Sequence, residues 1–285
     1  MILGEYFQNG RWYDTPPPRI DSTDVGFRQG VTAVERLRTY HGQPFQTDRH
    51  LRRWWDTVEV LGIASLPSKD SFTALVDELI ERNRATIDVH GDVGITWLAT
   101  PGSEQGSPTC ILQIQSLDHQ RHQRWARSGQ PLVITDVTQP PPTSWSRQIK
   151  TRCRLHYYLA DQQAKRRQPD AAGVLLDGDG SITETSTCNL AILSQGTLCS
   201  PPKDRILHGV TQAVVECIAG DLGIGWTLAP ITPQQLRDAD EVLLMGTDAG
   251  VWFAGEVDGR QKTCDHDSVY SRIKAEFDRR VMPAD

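Results

Sequence analysis

Lys150 stands in SWSRQIKTRCRLHYYLADQQAKRR, where a proline-rich stretch gives way to a pattern that reads as the start of a helix. The chain holds six lysines among its 30 basic residues, the rest being arginine, and the first is Lys69. An amine can lose its proton and attack a carbonyl, whereas a guanidinium stays charged, so a lysine in an arginine-rich chain suggests covalent chemistry. Glu184 sits in SITETSTCNL, a strand-like run that is unusually polar. In HGVTQ, the amides of Val210 and Thr211 fall at the start of an apolar-periodic helix, where free N–H groups and the dipole favour an anion. Thr247, in MGTDAG after an apolar strand, offers a hydroxyl and an amide to such a group. Arg53, in RHLRRWW, offers a bidentate charge-assisted contact.

These features suit one class of ligand. A phosphate-bearing aldehyde cofactor needs an amine for its carbonyl carbon, an acid against its ring nitrogen, and cations or amides for its phosphate. Each residue also has a plainer reading. Lys150 could be a solvated residue at a helix start, although the dipole disfavours a cation there. Glu184 could be an exposed hairpin acid, Arg53 the wet face of an amphipathic helix, and Thr211 and Thr247 ordinary cap and turn residues. Cys153, Trp54 and Trp55 read as packing.

The elements that must position these groups follow from periodicity and turn chemistry. Asn9-Gly10 and His41-Gly42 each sit between alternating segments and predict two hairpins. DRHLRRWWDTVEVLGI spaces Leu51, Trp54, Trp55, Val58 and Leu61 by threes and fours, which predicts a helix with Asp48 as N-cap. SKDSFTALVDELIERNRA predicts a second helix, opened by Ser68 or Asp70. DVGITWLAT and TCILQIQS predict paired strands around the turn PGSEQGSP. The polar stretch 117–130 reads as a domain connection, PLVIT as a short strand, and DVTQPPPTSWSRQ as a loop, since three consecutive prolines exclude a helix or a central strand. AAGVLLD and SITETSTCNLAIL predict strands around the turn GDG. A helix over Val210–Leu222, a strand near GWTLA, a helix PQQLRDA, a strand EVLLMG and a terminal helix ending in AEFDRR complete the order.

At 285 residues the chain is long enough for two domains. We expect a smaller N-terminal α/β domain over 1–118, a connector over 119–130, and a larger C-terminal domain over 131–285 that carries the lysine and the phosphate site. The formal charge of −6 argues against a nucleic-acid footprint and for a small-molecule ligand. No apolar run is long enough to span a bilayer and the start lacks the pattern of a signal peptide, so a cytoplasmic enzyme without a membrane partner is expected. The six cysteines form no C-x-x-C pair and read as reduced. His119 and His122 lack further ligands at metal spacing, and DGDG lacks the acidic positions of a calcium loop, so no metal is expected.

Taken in order, DVGFRQGVTAVERLRTYHGQPF, the H-x-x-R of His50 to Arg53, IK before a helix, GSITETSTCNLAIL, HGVTQ and LLMGTDAG resemble the class IV aminotransferases. These are fold type IV pyridoxal 5'-phosphate (PLP) enzymes that include branched-chain and D-amino-acid aminotransferases and aminodeoxychorismate lyase. The resemblance implies a two-domain α/β (α+β) fold of the D-amino-acid aminotransferase type and a homodimer. It also implies Lys150 as Schiff-base lysine and acid/base, Glu184 at the pyridine nitrogen, and Arg53, Val210, Thr211 and Thr247 around the phosphate. The implied reaction is transamination between an amino acid and a 2-oxo acid. The alternatives are pyruvate release from aminodeoxychorismate and a PLP-binding protein without turnover.

The substrate side departs from that pattern. Alternation in VTAVERLRT puts Val34, Arg36 and Arg38 on one face of a strand and Glu35, Leu37 and Thr39 on the other. Family members usually carry a small or hydroxyl-bearing residue at the position of Arg36, and commonly a tyrosine at that of Gln29. Arg36 and Arg38 together could clamp a substrate carboxylate or pair with a neighbouring Glu, and the clamp is the expectation. Gln29 and Asp248 are the remaining substrate-side candidates.

Overall fold

The structure, a computed structural model, describes residues 1–103 and 106–283, so Glu104 and Gln105 of the expected PGSEQGSP turn lie outside the described residues. The chain divides into two compact units, one of Met1–Leu117 with Ile149–Cys153, the other of Asp118–Gln148 with Arg154 onward. The short segment holding Lys150 thus belongs with the first unit, whereas the sequence places it in the second domain.

In the first unit the strands are β1 (Ile2–Gln8), β2 (Arg11–Tyr13), β3 (Ala33–Tyr40), β4 (Gln43–Pro44), β5 (Val93–Thr100) and β6 (Thr109–Ser116). They form an antiparallel sheet in the order β2-β1-β6-β5-β3-β4. Both hairpins form where expected, and Asn9, Gly10, His41 and Gly42 all take positive φ, as tight primed turns require. The helices are α1 (Val25–Gln29), α2 (Thr47–Val60), α3 (Lys69–Arg82) and α4 (Arg84–His90). Ser68 caps α3 as predicted, accepting from the Ser71 amide. Asp48 does not cap α2. The Phe45 amide still donates to the Arg38 carbonyl in the hairpin ladder, so the chain reverses at Gln46, which takes φ 57° and is the cap residue, and Asp48 falls in the first turn.

The apolar stripe of α2 packs on the sheet face that carries Leu37, Ile95 and Trp97. Trp54, Phe72 and Trp97 meet there with ring centroids 5.3 to 6.2 Å apart. Such pairs contribute about 0.5–1.5 kcal/mol each beyond area burial, so this cluster makes a rigid floor for whatever α2 and β3 carry.

The second unit contains α5 (His119–Ser128), β7 (Gln130–Thr138), α6 (Leu155–Arg167), β8 (Ala172–Leu176), β9 (Asn189–Ser194) and β10 (Thr197–Ser200). There follow α7 (Val210–Asp221), β11 (Gly225–Leu228), α8 (Pro233–Asp238), β12 (Glu241–Gly246), β13 (Gly250–Val257), β14 (Arg260–Gln261) and α9 (Val269–Val281). The sheet order is β11-β10-β9-β12-β13-β7-β8, with β14 on β13. It is mixed: β10–β11, β13–β7 and β7–β8 run parallel. The stretch read as a connector is helical over α5, because Trp125 anchors it by stacking on Trp252 with ring centroids 5.6 Å apart. Among the described residues no helix is long and apolar enough to cross a membrane.

Two readings near the expected site change. The helix after Lys150 begins only at Leu155, and Lys150 lies in an extended segment. The run SITETSTCNLAIL is not one strand: Ile182 bridges Leu176, but β9 starts at Asn189. In between, the Thr185 hydroxyl oxygen accepts from the amides of Thr187 and Cys188, turning the chain out of the ladder. Glu184 lies at the entrance to that turn.

Candidate active site

Lys150 is held by its backbone. Its amide donates to the Thr57 hydroxyl on α2 at 3.0 Å, and its carbonyl accepts from the Val34 amide on β3 at 2.9 Å. Thr151 bridges Ala33, and the Arg152 amide donates to the Thr32 carbonyl, so the segment runs as a short antiparallel strip along β3. This pairing excludes a helix at Lys150 and groups the segment with the first unit. Antiparallel partners share a sheet face, which puts Lys150 on the face of Val34 and Arg36. Gly30, at φ 74°, lies against Cys153, where an added Cβ would come within 3.6 Å of the Cys153 Cα.

Arg53 projects from α2 onto β3. Its Nε and Nη2 donate to the two carboxylate oxygens of Glu35 at 2.9 and 2.7 Å, and His50 Nδ1 lies 3.0 Å from Oε1. The Glu35 side chain is fully buried. Burial pushes its carboxyl pKa up, but the Arg53 charge and the hydrogen bonds from His50 and Arg53 outweigh that and hold it well below the usual carboxylate range. Burial also lowers the His50 pKa, against the pull of Glu35, so His50 is neutral near pH 7. The alternation predicted for β3 is therefore correct. Glu35 and Leu37 face α2, and Glu35 fixes the orientation of the Arg53 guanidinium.

On the opposite face the two expected clamp arginines diverge. Arg36 runs across Gly94, where an added Cβ would lie 2.0 Å from its Nη2, and its Nη1 donates to Thr96 and Gln115. Arg38 pairs with Asp92 at 3.7 Å, donates to the Thr39 carbonyl, and lies 4.0 Å from the Tyr40 ring centroid. Gln29 is exposed at the end of α1. Asp24 positions that helix, accepting from the Gly26 amide and from the hydroxyls of Thr100 and Thr109.

The second unit carries Glu184, Val210, Thr211, Thr247 and Asp248. Glu184 is buried, and its carboxylate accepts from Tyr157 Oη at 2.6 Å, Gln139 Nε2 at 3.2 Å, Asn189 Nδ2 at 2.9 Å and the Leu207 amide at 3.2 Å. Burial, then the Glu184 charge, raises the Tyr157 pKa well above its ordinary value, so the phenol stays protonated and donates. Asn189 also donates to the Leu207 carbonyl, and its Oδ1 occupies the place of a Cβ at Gly209, 1.9 Å from where that atom would be. Gly209 is the N-cap of α7 and provides no side-chain cap for its first turn. Val210 and Thr211 are buried there. Thr247 and Asp248 are half-buried in the turn between β12 and β13, two and three residues past Met245, which pairs with Asn189. Asn189 thus joins the Glu184 segment, the α7 N-terminus and the start of the Thr247 turn.

Sequence reasoning missed Tyr157, Gln139, Asn189, Glu35 and Thr57. The available signal was polarity out of place: Glu35 inside an alternating strand, Asn189 between Cys188 and Leu190, and Gln139 at the head of a proline run.

Comparisons with known proteins identify the family and the fold. A Methanocaldococcus jannaschii protein named for branched-chain-amino-acid aminotransferase activity is 28% identical over 261 residues, covering 89% of this chain and 88% of its own. A D-alanine aminotransferase of Listeria innocua is 26% identical over 266 residues, with 89% and 87% covered. An aminodeoxychorismate lyase of Bacillus subtilis is 26% identical over 244 residues, with 82% and 80% covered. The fold matches the branched-chain aminotransferase of the thermophilic archaeon Thermoproteus uzoniensis, solved with norvaline, at a TM-score of 0.82 and 22% identity, covering 98% of this chain and 94% of that one. It matches the Escherichia coli branched-chain enzyme at 0.84 and 23%, covering 97% and 94%. Residues 32–257 match the family described as amino-transferase class IV, so the chain belongs to the class IV aminotransferases, a family of PLP-dependent transaminases.

Proposed function

We propose that this chain binds PLP and transfers an amino group between an amino acid and a 2-oxo acid, with Lys150 as the catalytic amine and Glu184 as the acid at the pyridine nitrogen. The observation that carries the reading is the grip on both backbone polar groups of Lys150, which presents one lysine from a fixed point. The donor set fits the cofactor. The α7 N-terminus, capped by a glycine, suits a phosphate, and the buried Glu184 carboxylate, surrounded by hydrogen-bond donors, suits a protonated ring nitrogen. When bound, PLP supplies an aldehyde carbon that takes up the amino group and a ring that accepts the electron pair left by the α-proton.

The protein residues supply the rest. Lys150 Nζ would take the proton from the substrate α-carbon as a base held at a fixed point and, as an acid, give it up at the former aldehyde carbon. Glu184 keeps its negative charge at the ring nitrogen. Arg53, the amides of Val210 and Thr211, and Thr247 bind the phosphate, and Glu35 holds Arg53 in orientation. Arg36 is assigned to the substrate carboxylate, with Gln29 and Asp248 bordering the same substrate. Arg38 is left out of that role because Asp92 already pairs with it.

The enzyme is proposed to work in the cytoplasm as a homodimer. Leu155, Tyr158 and Leu159 form an exposed apolar stripe on one side of α6, which a second copy would cover. Light scattering of the purified protein tests the dimer. Borohydride reduction in the presence of PLP, followed by peptide mass spectrometry, should find the pyridoxyl group on Lys150, and Lys150→Ala should lose it. Label on another lysine overturns the assignment. The lyase relative favours one second reading, pyruvate release from aminodeoxychorismate. Measuring that release beside amino transfer from D- and L-amino acids to 2-oxoglutarate separates the two.

A further inference from the structure

We propose that the Thr57 hydroxyl is a positioning group that sets the spacing between Lys150 and Arg53; this rests on the cofactor roles assigned to those two residues above. Thr57 is fully buried in the last turn of α2. Its hydroxyl donates to the Arg53 carbonyl one turn earlier, at 2.9 Å, and its oxygen accepts from the Lys150 amide at 3.0 Å. Back-bonding of a helical threonine to the preceding turn is common and fixes its side-chain rotamer. What is specific here is the second bond, to a segment 93 residues away in sequence.

One oxygen atom therefore ties the backbone of the residue that would meet the aldehyde carbon to the backbone of the residue that would meet the phosphate. A cofactor held at both ends requires a fixed distance between those ends. The Val34 amide pins the Lys150 carbonyl from the β3 side, so loss of Thr57 would leave the Lys150 segment held from the β3 side alone. The part-buried amide would also lose its acceptor, which costs stability to the extent that water cannot replace it.

Paired substitutions separate positioning from packing. Thr57→Val keeps the shape and removes the hydroxyl, whereas Thr57→Ser keeps the hydroxyl and removes a methyl group. If Thr57 positions the lysine, Thr57→Val weakens PLP binding about 10-fold, read by absorbance titration, and Thr57→Ser stays within about twofold of wild type. If Thr57 only packs, the order reverses and the proposal is overturned. A second arm uses cofactor-free protein and needs no variant. Hydrogen exchange of the Lys150 amide should be slowed to a degree comparable with the amides of α2, and free exchange there against a protected α2 overturns the tether even if Thr57→Val fails to fold. A wild type that takes up no PLP, yet loses Lys150 protection in Thr57→Val, overturns the cofactor reading and leaves the tether standing.

Discussion

Glu35 in the first unit and Glu184 in the second are both buried glutamates, and they are satisfied in different ways. Glu35 meets a guanidinium side-on and an imidazole. Glu184 accepts from a phenol, two amide side chains and a backbone amide. A carboxylate locked to an arginine is committed to that arginine, and its loss leaves a buried cation. A carboxylate stabilised by dipoles keeps a charge that a cationic ligand can answer. Residue type and burial are alike for the two acids; the donors described around them differ.

The largest effect is expected at Lys150, the proposed catalytic amine. Lys150→Ala should lower transamination by about 10³-fold or more, measured as amino transfer to a 2-oxo acid, while leaving the unfolding midpoint nearly unchanged. Next, the two glutamates should respond oppositely. Glu184→Gln should cost about 10²-fold in kcat, as the loss of a charge at a reacting centre does. Glu35→Gln should cost about 3–5 kcal/mol of stability in urea unfolding, because Arg53 is left buried without its counter-charge. Equal stability losses in both variants would break the comparison.

A pH series sharpens it. Glu35 titrates below its ordinary value when folded, so its contribution is fully present above about pH 4.3 and fades as pH falls toward the folded value. His50 has the same sign. Burial lowers its folded pKa, the unfolded chain takes up the proton first, and stability falls as pH drops below about 6.5. The urea midpoint should therefore decline on acidification, and Glu35→Gln should flatten the limb below about pH 4.3. The smallest effect is expected at Gly94→Ala, whose Cβ would displace the guanidinium end of Arg36. Stability should change by less than about 1 kcal/mol, and the KM for an acidic amino donor should rise if Arg36 holds its carboxylate.

Much of this was legible along the chain. Both primed hairpins, the Ser68 cap, the α7 start and the alternation of β3 follow from local rules, and the structure reproduces them. The failures have one kind of cause. Lys150 looks like a helix start until β3 supplies a partner for its carbonyl. The run around Glu184 looks like a strand until Thr185 captures the amides that would have continued it. The connector looks like a linker until Trp252 gives Trp125 a surface to stack on.

The order of chemically capable residues, their turn and cap contexts and the family they resemble were determined by the sequence alone, because each depends on neighbours within a few positions. Which backbone groups hold the lysine, which acid faces a cation and which way each arginine runs were decided only by the tertiary structure. A buried polar group takes whatever partner the fold brings to it, and such partners can lie far apart in sequence, as Lys150 and Thr57 do at 93 residues.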